Sequence, residues 1–352
     1  MSKKVVITAA GTGGHVFPGL AVANYLIKKG YEVQWIGGHG IEANIVPKHG
    51  INFEQIDFAG VRGKGFLKLF KAPFQLIKAI ISAKKILKGI KPNLLLAMGG
   101  YISVPAGIAA KLLGIPVIIH EQNAIAGMSN KLLNKIAIKT LMGFDGSFKN
   151  GIYTGNPIRE NFNVDKENIS YNSYLKILVI GGSLGAAILN EVVPKALVLV
   201  KQDKLIEVVH QAGKKHMDAL VKNYQNTTVK VHTIDFIEDM KSAYEWADII
   251  ICRAGAMTIS EIATVGIPSI LVPFPYAVDD HQTKNAQILS KSKAAWLIPQ
   301  NQFTAEKLAY IIKNLTPEKL RQMSLKAKLH SHHSSTQKVG DICIEVIENA
   351  SH

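Results

Sequence analysis

Lys4-Val5-Val6-Ile7-Thr8-Ala9-Ala10-Gly11-Thr12-Gly13-Gly14-His15-Val16-Phe17-Pro18 opens the chain. An apolar, β-branched run breaks at a glycine turn, and an apolar-periodic stretch from Pro18 to Lys28 follows with proline in its first turn, where a missing N–H costs little. The pattern predicts strand, turn, helix. It recurs as a strand from Lys176 to Ile180, the turn Gly181-Gly182-Ser183-Leu184-Gly185 and a helical stretch from Ala186 to about Val200. Val33 to Ile36, Leu94 to Ala97, Val117 to Ile119, Ile206 to Val209, Asp248 to Cys252 and Ser269 to Val272 read as further buried strands alternating with helices. Such alternation predicts α/β architecture, with two parallel sheets covered on both faces. The polar stretch between Arg159 and Ser173 divides residues 1–160 from 161–352, and the last helix is free to return to the first domain. A cleft between two such domains is a natural ligand site.

The chain has 352 residues, 47% of them apolar, enough for two buried cores, which excludes a disordered or low-complexity chain. Two cysteines, Cys252 and Cys343, support neither a disulfide framework nor a thiolate metal site, and fit a reducing compartment. The first apolar run is too short for a signal-peptide core. A net charge of +15 predicts an anionic partner.

The first glycine turn suits phosphate, because N–H groups and the helix dipole converge there, although such turns are also purely structural. It is not a dinucleotide fingerprint: Val16 stands where the last glycine belongs, and the second strand runs into Gly37-Gly38 rather than an acid. No G-x-x-x-x-G-K-[ST] sequence occurs, which excludes a P-loop NTPase. His15 directly after the turn is either a general base or a ring that hydrogen-bonds the helix start. His120-Glu121-Gln122-Asn123 is a dense polar cluster after a buried strand. Thr258 and Glu261 fit a capping box, but Glu261 could equally accept both hydroxyls of a ribose, with Arg253 on a diphosphate. Asp279 and Asp280 read as helix caps, and His281 and Gln282 as partners for sugar hydroxyls. His330, His332 and His333 read as a solvated polar tail, not a metal cluster.

From Phe58 to His120 there is no Asp or Glu, yet ten Lys or Arg residues fall there. Within that stretch Phe66 to Ile90 carries six lysines, each costing ~2.5 to 3.5 kcal/mol in mid-bilayer, so it cannot span a membrane. Phe70, Phe74 and Ile77 at helical spacing, with Lys64, Lys68 and Lys71, instead suit binding to an anionic lipid surface. A crossover helix with solvated lysines is the plainer reading.

Taken together, Gly11 to Pro18, Met98-Gly99-Gly100-Tyr101, His120 to Asn123, Gly155-Asn156-Pro157-Ile158-Arg159, Gly181 to Ala186 and Cys252 to Glu261 closely resemble the MurG family. These are bacterial N-acetylglucosaminyltransferases that convert lipid I to lipid II in peptidoglycan synthesis. The resemblance implies a GT-B fold, two Rossmann-like domains facing a cleft, with the acceptor and the cytoplasmic face of the membrane on the N-terminal side and UDP-N-acetylglucosamine mainly on the C-terminal one. It implies that Ser183 and the Gly181, Gly182 and Gly185 turn hold diphosphate, that Arg253, Ile237 and the helix start at Ala256, Met257 and Thr258 lie beside the nucleotide, and that Glu261 binds ribose. Gln282 and Asn123 would contact the sugar, Thr12, Gly13 and Gly14 would close the cleft, and Arg159 would join from the domain junction. His281 departs from the family pattern, where glutamine is expected.

The implied reaction is inverting: the muramic acid 4-hydroxyl attacks the anomeric carbon and expels UDP. No cofactor or metal is needed in principle, since a helix N-terminus and Arg253 can meet the leaving charge. His15 is the first candidate base, or else a ligand of the acceptor diphosphate, with Glu121 and Tyr101 next. The rivals are another GT-B enzyme, either a glycolipid glycosyltransferase or a sugar-nucleotide epimerase, and a basic nucleic-acid binder. No nucleic-acid recognition signature supports the last.

Overall fold

The computed structural model describes residues 3–58, 66–158, 174–182, 184–200 and 205–350, with side chains of the 66–90 helix described from residue 72. Lys64, Arg159 and Ser183 lie outside the described residues, as do the side chains of Lys68, Phe70 and Lys71.

The chain divides into two units, residues 1–160 with 333–352, and residues 161–332. In the first unit the strands are β1 (Lys4–Ala9), β2 (Glu32–Gly37), β3 (Asn52–Gln55), β4 (Leu94–Gly99), β5 (Val117–Glu121), β6 (Lys139–Met142) and β7 (Ile152–Tyr153). Its helices are α1 (Gly13–Lys28), α2 (Glu42–Ile45), α3 (Phe66–Ile90), α4 (Ser103–Leu112) and α5 (Met128–Leu133). The second unit has β8 (Leu175–Ile180), β9 (Ile206–Gln211), β10 (Lys230–Ile234), β11 (Ile249–Cys252), β12 (Ser269–Leu271) and β13 (Ala295–Leu297). Between them run α6 (Ala187–Leu199), α7 (Met217–Tyr224), α8 (Met240–Trp246), α9 (Ala256–Val265), α10 (His281–Lys291), α11 (Ala305–Lys313) and α12 (Pro317–Lys328). The last helix, α13 (Ser335–Asn349), belongs to the first unit.

The first sheet runs β3-β2-β1-β4-β5-β6-β7 and the second β10-β9-β8-β11-β12-β13, with parallel pairing throughout the described residues. Both are doubly wound, and the strand order reverses between β1 and β4 and between β8 and β11. Strand alternation sorts the core into layers. Val5, Ile7, Leu94 and Leu96 pack with α1 and with Val339, Cys343 and Ile347 of α13, while Val6, Leu95 and Ala97 pack with Ala79, Ala83 and Leu87 of α3. In the second unit Ile177, Val179 and Ile251 pack against Leu189, Val193 and Ala196 of α6.

Helix α1 begins at Gly13 rather than Pro18, so the glycine turn and His15 lie in its first turn. Tyr25 on α1 donates to Asp341 Oδ1 on α13 at 2.6 Å, one of the contacts that bring the C-terminal helix back to the first unit. Residues 329–334 are no solvated tail: they link α12 to α13, and a hydrogen bond of 3.0 Å joins His330 Nε2 to Ser292 Oγ.

Candidate active site

In open α/β sheets ligands bind beyond the carboxyl ends of the strands, where the strand order reverses. In the first unit this is the turn after β1, flanked by the ends of β4 and β5. Thr12 caps α1 by position only, with no side-chain hydrogen bond, and no acid sits in the first turn, so the helix presents its N–H groups uncapped by side chains. Gly99 has φ +105°, and a Cβ there would lie 2.9 Å from His15 Nδ1. Only glycine lets the imidazole lie against this backbone.

A hydrogen bond of 2.8 Å joins His15 Nδ1 to Gln122 Oε1, and Gln122 Nε2 donates to Met98 O at 2.9 Å. Gln122 Nε2 also lies 3.1 Å from His120 Nδ1, while His120 Nε2 lies 3.1 Å from Gly155 O. His120 is wholly buried, and burial pushes its pKa down to about 4, so it is neutral at pH 7.

Glu121 is buried too, but four donors fill its carboxylate. Oε1 accepts from Asn123 N (3.0 Å) and Asn123 Nδ2 (3.1 Å), and Oε2 from Gly127 N (2.9 Å) and Asn130 Nδ2 (2.9 Å). A carboxylate so engaged holds the 122–130 loop, a correction to its place as a reserve base. The Tyr101 phenol is held above its usual pKa by burial, then by Glu42.

Glu42 was not singled out by any motif. It is fully buried; Oε2 accepts from Gly11 N at 3.2 Å, and Oε1 from Gly38 N at 3.1 Å and Gly40 N at 3.2 Å. The turns after β1 and β2 are thus tied together by one inward carboxylate. An isolated glutamate after a glycine pair carries no sequence signal for this.

In the second unit a cavity of about 520 Å³ opens where the order reverses between β8 and β11, lined by the Gly181, Gly182 and Gly185 turn, Arg253, Thr258 and Gln282. At Gly185, φ is +76°, and a Cβ would collide with the Ala212 carbonyl. Helices α6 and α9 start here behind Ala186 and Gly255, with no side-chain cap and no acid in the first turn. Two helix N-termini beside a cation favour negative charge in this space. Arg253 is held rigidly: Nη1 donates to Val272 O and Pro273 O, both at 3.1 Å, and Nη2 to Gln300 Oε1 at 2.7 Å. Gln282 Oε1 accepts from Ala254 N at 3.2 Å and Phe274 N at 2.9 Å, leaving its Nε2 to donate to a ligand.

The capping box is not formed. Gly255 is the N-cap of α9, Ala256, Met257 and Thr258 fall in the first turn, and Glu261 lies a turn further on with its Oε2 accepting from Tyr244 Oη at 3.1 Å. Asp280 is the N-cap of α10 by position, as expected, but its side chain makes no cap hydrogen bond, and Asp279 lies in the turn before it. Asp279 and Asp280 have left-handed φ values of 53° and 51°, and Asp280 Oδ1 accepts from the Thr283 hydroxyl instead of a backbone N–H. His281 Nδ1 donates to Val278 O at 2.7 Å, and Ile237 is buried in the loop after β10. Thr12, Gly13, Gly14 and Asn123 belong to the first unit, while Ile237, Arg253, Glu261, His281 and Gln282 belong to the second.

Residues 5–142 match the glycosyltransferase family 28 N-terminal domain, and residues 176–339 match its C-terminal domain. The UDP-N-acetylglucosamine--N-acetylmuramyl-(pentapeptide) pyrophosphoryl-undecaprenol N-acetylglucosamine transferase of Dechloromonas aromatica (strain RCB) is 44% identical over 351 residues, 98% of this chain and 99% of that protein. The protein of the same name in Cupriavidus necator is 47% identical over 349 residues, 98% of each chain. The crystal structure of Acinetobacter baumannii MurG superposes with a TM-score of 0.85 at 39% identity, covering 97% of this chain and 99% of that one. Identity at this level over nearly the whole length goes well beyond a shared GT-B fold, and with both domain models matched the chain belongs to glycosyltransferase family 28, as an N-acetylglucosaminyltransferase of the MurG family.

Proposed function

We propose that the chain transfers N-acetylglucosamine from UDP-N-acetylglucosamine to the muramic acid 4-hydroxyl of lipid I, giving lipid II and UDP. The observation that carries the donor half is the 520 Å³ cavity, in which two uncapped helix N-termini and the Arg253 guanidinium converge on one space. The diphosphate lies on the Gly181 to Gly185 turn, Glu261 takes the ribose hydroxyls, and the Gln282 amide donates to the sugar. In the reaction the acceptor oxygen forms a bond to the anomeric carbon as the bond to the diphosphate oxygen breaks, with inversion to a β-1,4 link. His15 takes the hydroxyl proton. Charge developing on the leaving diphosphate is met by dipoles and a cation already in place, which is where preorganisation contributes most to rate.

The acceptor's lipid demands a surface, and α3 supplies one. Its buried face is Ala79, Ala83, Leu87 and Ile90, yet Phe74, Ile77 and Ile81 on the opposite face are 77%, 55% and 64% exposed, with Lys78, Lys85 and Lys88 exposed beside them. An exposed apolar stripe among lysines fits an anionic bilayer interface better than water. Among the described residues no helix is long and apolar enough to cross a membrane. Attachment is therefore read as peripheral, on the cytoplasmic face.

The test is product formation. Purified chain given UDP-N-acetylglucosamine should release UDP and form a disaccharide with a lipid I analogue, and do neither with diacylglycerol. UDP release without acceptor would overturn the reading.

A further inference from the structure

The hydrogen-bond chain that ends on His15 has only one self-consistent assignment of protons, and it starts at a backbone carbonyl. Gly155 O can only accept, so His120 Nε2, 3.1 Å away, carries a hydrogen. The buried ring is neutral, so its Nδ1 bears a lone pair. Around one end of the Gln122 amide stand three acceptors: Met98 O at 2.9 Å, His120 Nδ1 at 3.1 Å and His120 O at 3.3 Å. Only the NH₂ end satisfies them; a flipped amide would aim its oxygen at two carbonyl oxygens and a lone pair. Gln122 Oε1 therefore faces His15 Nδ1 at 2.8 Å, and that nitrogen must carry the hydrogen. In neutral His15 the lone pair is then on Nε2.

We infer that Gln122 and His120 are positioning residues that fix the tautomer of His15, holding Nδ1 protonated and leaving Nε2 as the nitrogen able to accept a proton. The consequence for catalysis rests on the proposed role of His15 as base; the tautomer itself does not. The arrangement is a neutral counterpart of a carboxylate that orients a catalytic histidine. Gln122 Oε1 accepts the same Nδ1–H whether His15 is neutral or protonated, so the proton can arrive at Nε2 without any rearrangement of the chain behind it. Gly99 completes the device by leaving room for the ring. The ionisable groups on the surrounding elements are His120 and Glu121 at the end of β5, Tyr101 after β4 and Glu42 on α2. Glu121 is engaged by its loop and Glu42 by glycine N–H groups, so neither replaces Gln122 as the partner of His15.

Long-range ¹H–¹⁵N correlation spectra of the full chain, labelled in histidine, read the tautomer directly, with the His15 signals assigned by their loss in His15→Gln. At a pH where the ring is neutral, the native protein should show His15 protonated at Nδ1 and His120 protonated at Nε2. Gln122→Met, which keeps the length but removes the amide's hydrogen bonds to His15, His120 and Met98, should lose the Nδ1–H preference. It should also lower kcat roughly 10- to 100-fold, the usual cost of a lost orienting partner, with acceptor KM little changed. A native His15 protonated at Nε2 would overturn the inference, and this arm needs no variant to fold. An unchanged tautomer in Gln122→Met would overturn it as well. Failure of the base reading looks different: His15→Ala would keep a near-normal kcat while the native spectrum still showed Nδ1–H.

Discussion

The Tyr244 hydroxyl donates to Glu261 Oε2 at 3.1 Å from a wholly buried ring. Burial, then the Glu261 charge, holds the phenol far above its ordinary pKa, so it stays a donor. Glu261→Ala therefore does two things. It leaves that hydroxyl without this acceptor, costing about 1 to 3 kcal/mol, and it removes the carboxylate proposed for the ribose. Tyr244→Phe separates them: stability falls by about 0.5 to 1.5 kcal/mol while UDP affinity is kept. Melting curves beside UDP titration calorimetry check both, and unchanged UDP affinity in Glu261→Ala would remove the ribose role.

Arg253→Met should weaken UDP roughly 10- to 100-fold, as expected for the loss of charge-assisted hydrogen bonds worth about 1.5 to 3 kcal/mol, and leave uridine affinity nearly unchanged. Equal losses for UDP and uridine would show that the guanidinium acts only by holding the Val272 and Pro273 carbonyls.

The motifs proposed to carry this chemistry were legible because they follow short, β-branched runs buried on both faces, such as Val5 to Ile7 and Ile249 to Cys252, each ended by a glycine-containing turn. Edge strands were not. Asn52–Gln55 is mostly exposed and Lys230–Ile234 mixes polar with apolar residues, so neither shows the pattern of a buried strand. Thr258 and Glu261 have capping-box spacing, but α9 is already under way at Ala256, and the spacing alone cannot say where a helix begins. The contact of Tyr25 with Asp341 and the inward turn of Glu42 depend on tertiary packing and leave no local trace.

On α3, replacing Phe74, Ile77 and Ile81 together with Ser should release the protein from anionic vesicles, since each apolar side chain inserted contributes about 1.5 to 3 kcal/mol. The melting temperature should change little, because all three are more than half exposed. Vesicle binding that persists, or transfers to RNA in a salt titration, would return α3 to a plain crossover helix.

Acid should destabilise both units. Burial holds His120 at about 4 and His210 at about 3, against 6.5 for the unfolded chain. Below 6.5 the unfolded state binds protons that the folded state refuses. Stability is full above that value and falls on the way down to the folded pKa, by roughly 1.4 kcal/mol per pH unit for each ring. Urea midpoints between pH 7 and 4 should show this slope, and His210→Gln should reduce it even though the substitution itself costs stability. A flat profile would mean that these rings are charged when folded.

The most direct test is the effect of His15→Ala on kcat and acceptor KM, measured across pH beside UDP affinity. As a base, His15 must be neutral, so native turnover at saturation should fall as the ring is protonated. The alanine variant should lose roughly 10²- to 10⁴-fold in kcat, while UDP binding stays near normal because the cavity proposed for the nucleotide is built from other residues. A near-normal kcat with a raised acceptor KM, and activity that improves on protonation, would contradict the account and make His15 a ligand of the acceptor diphosphate.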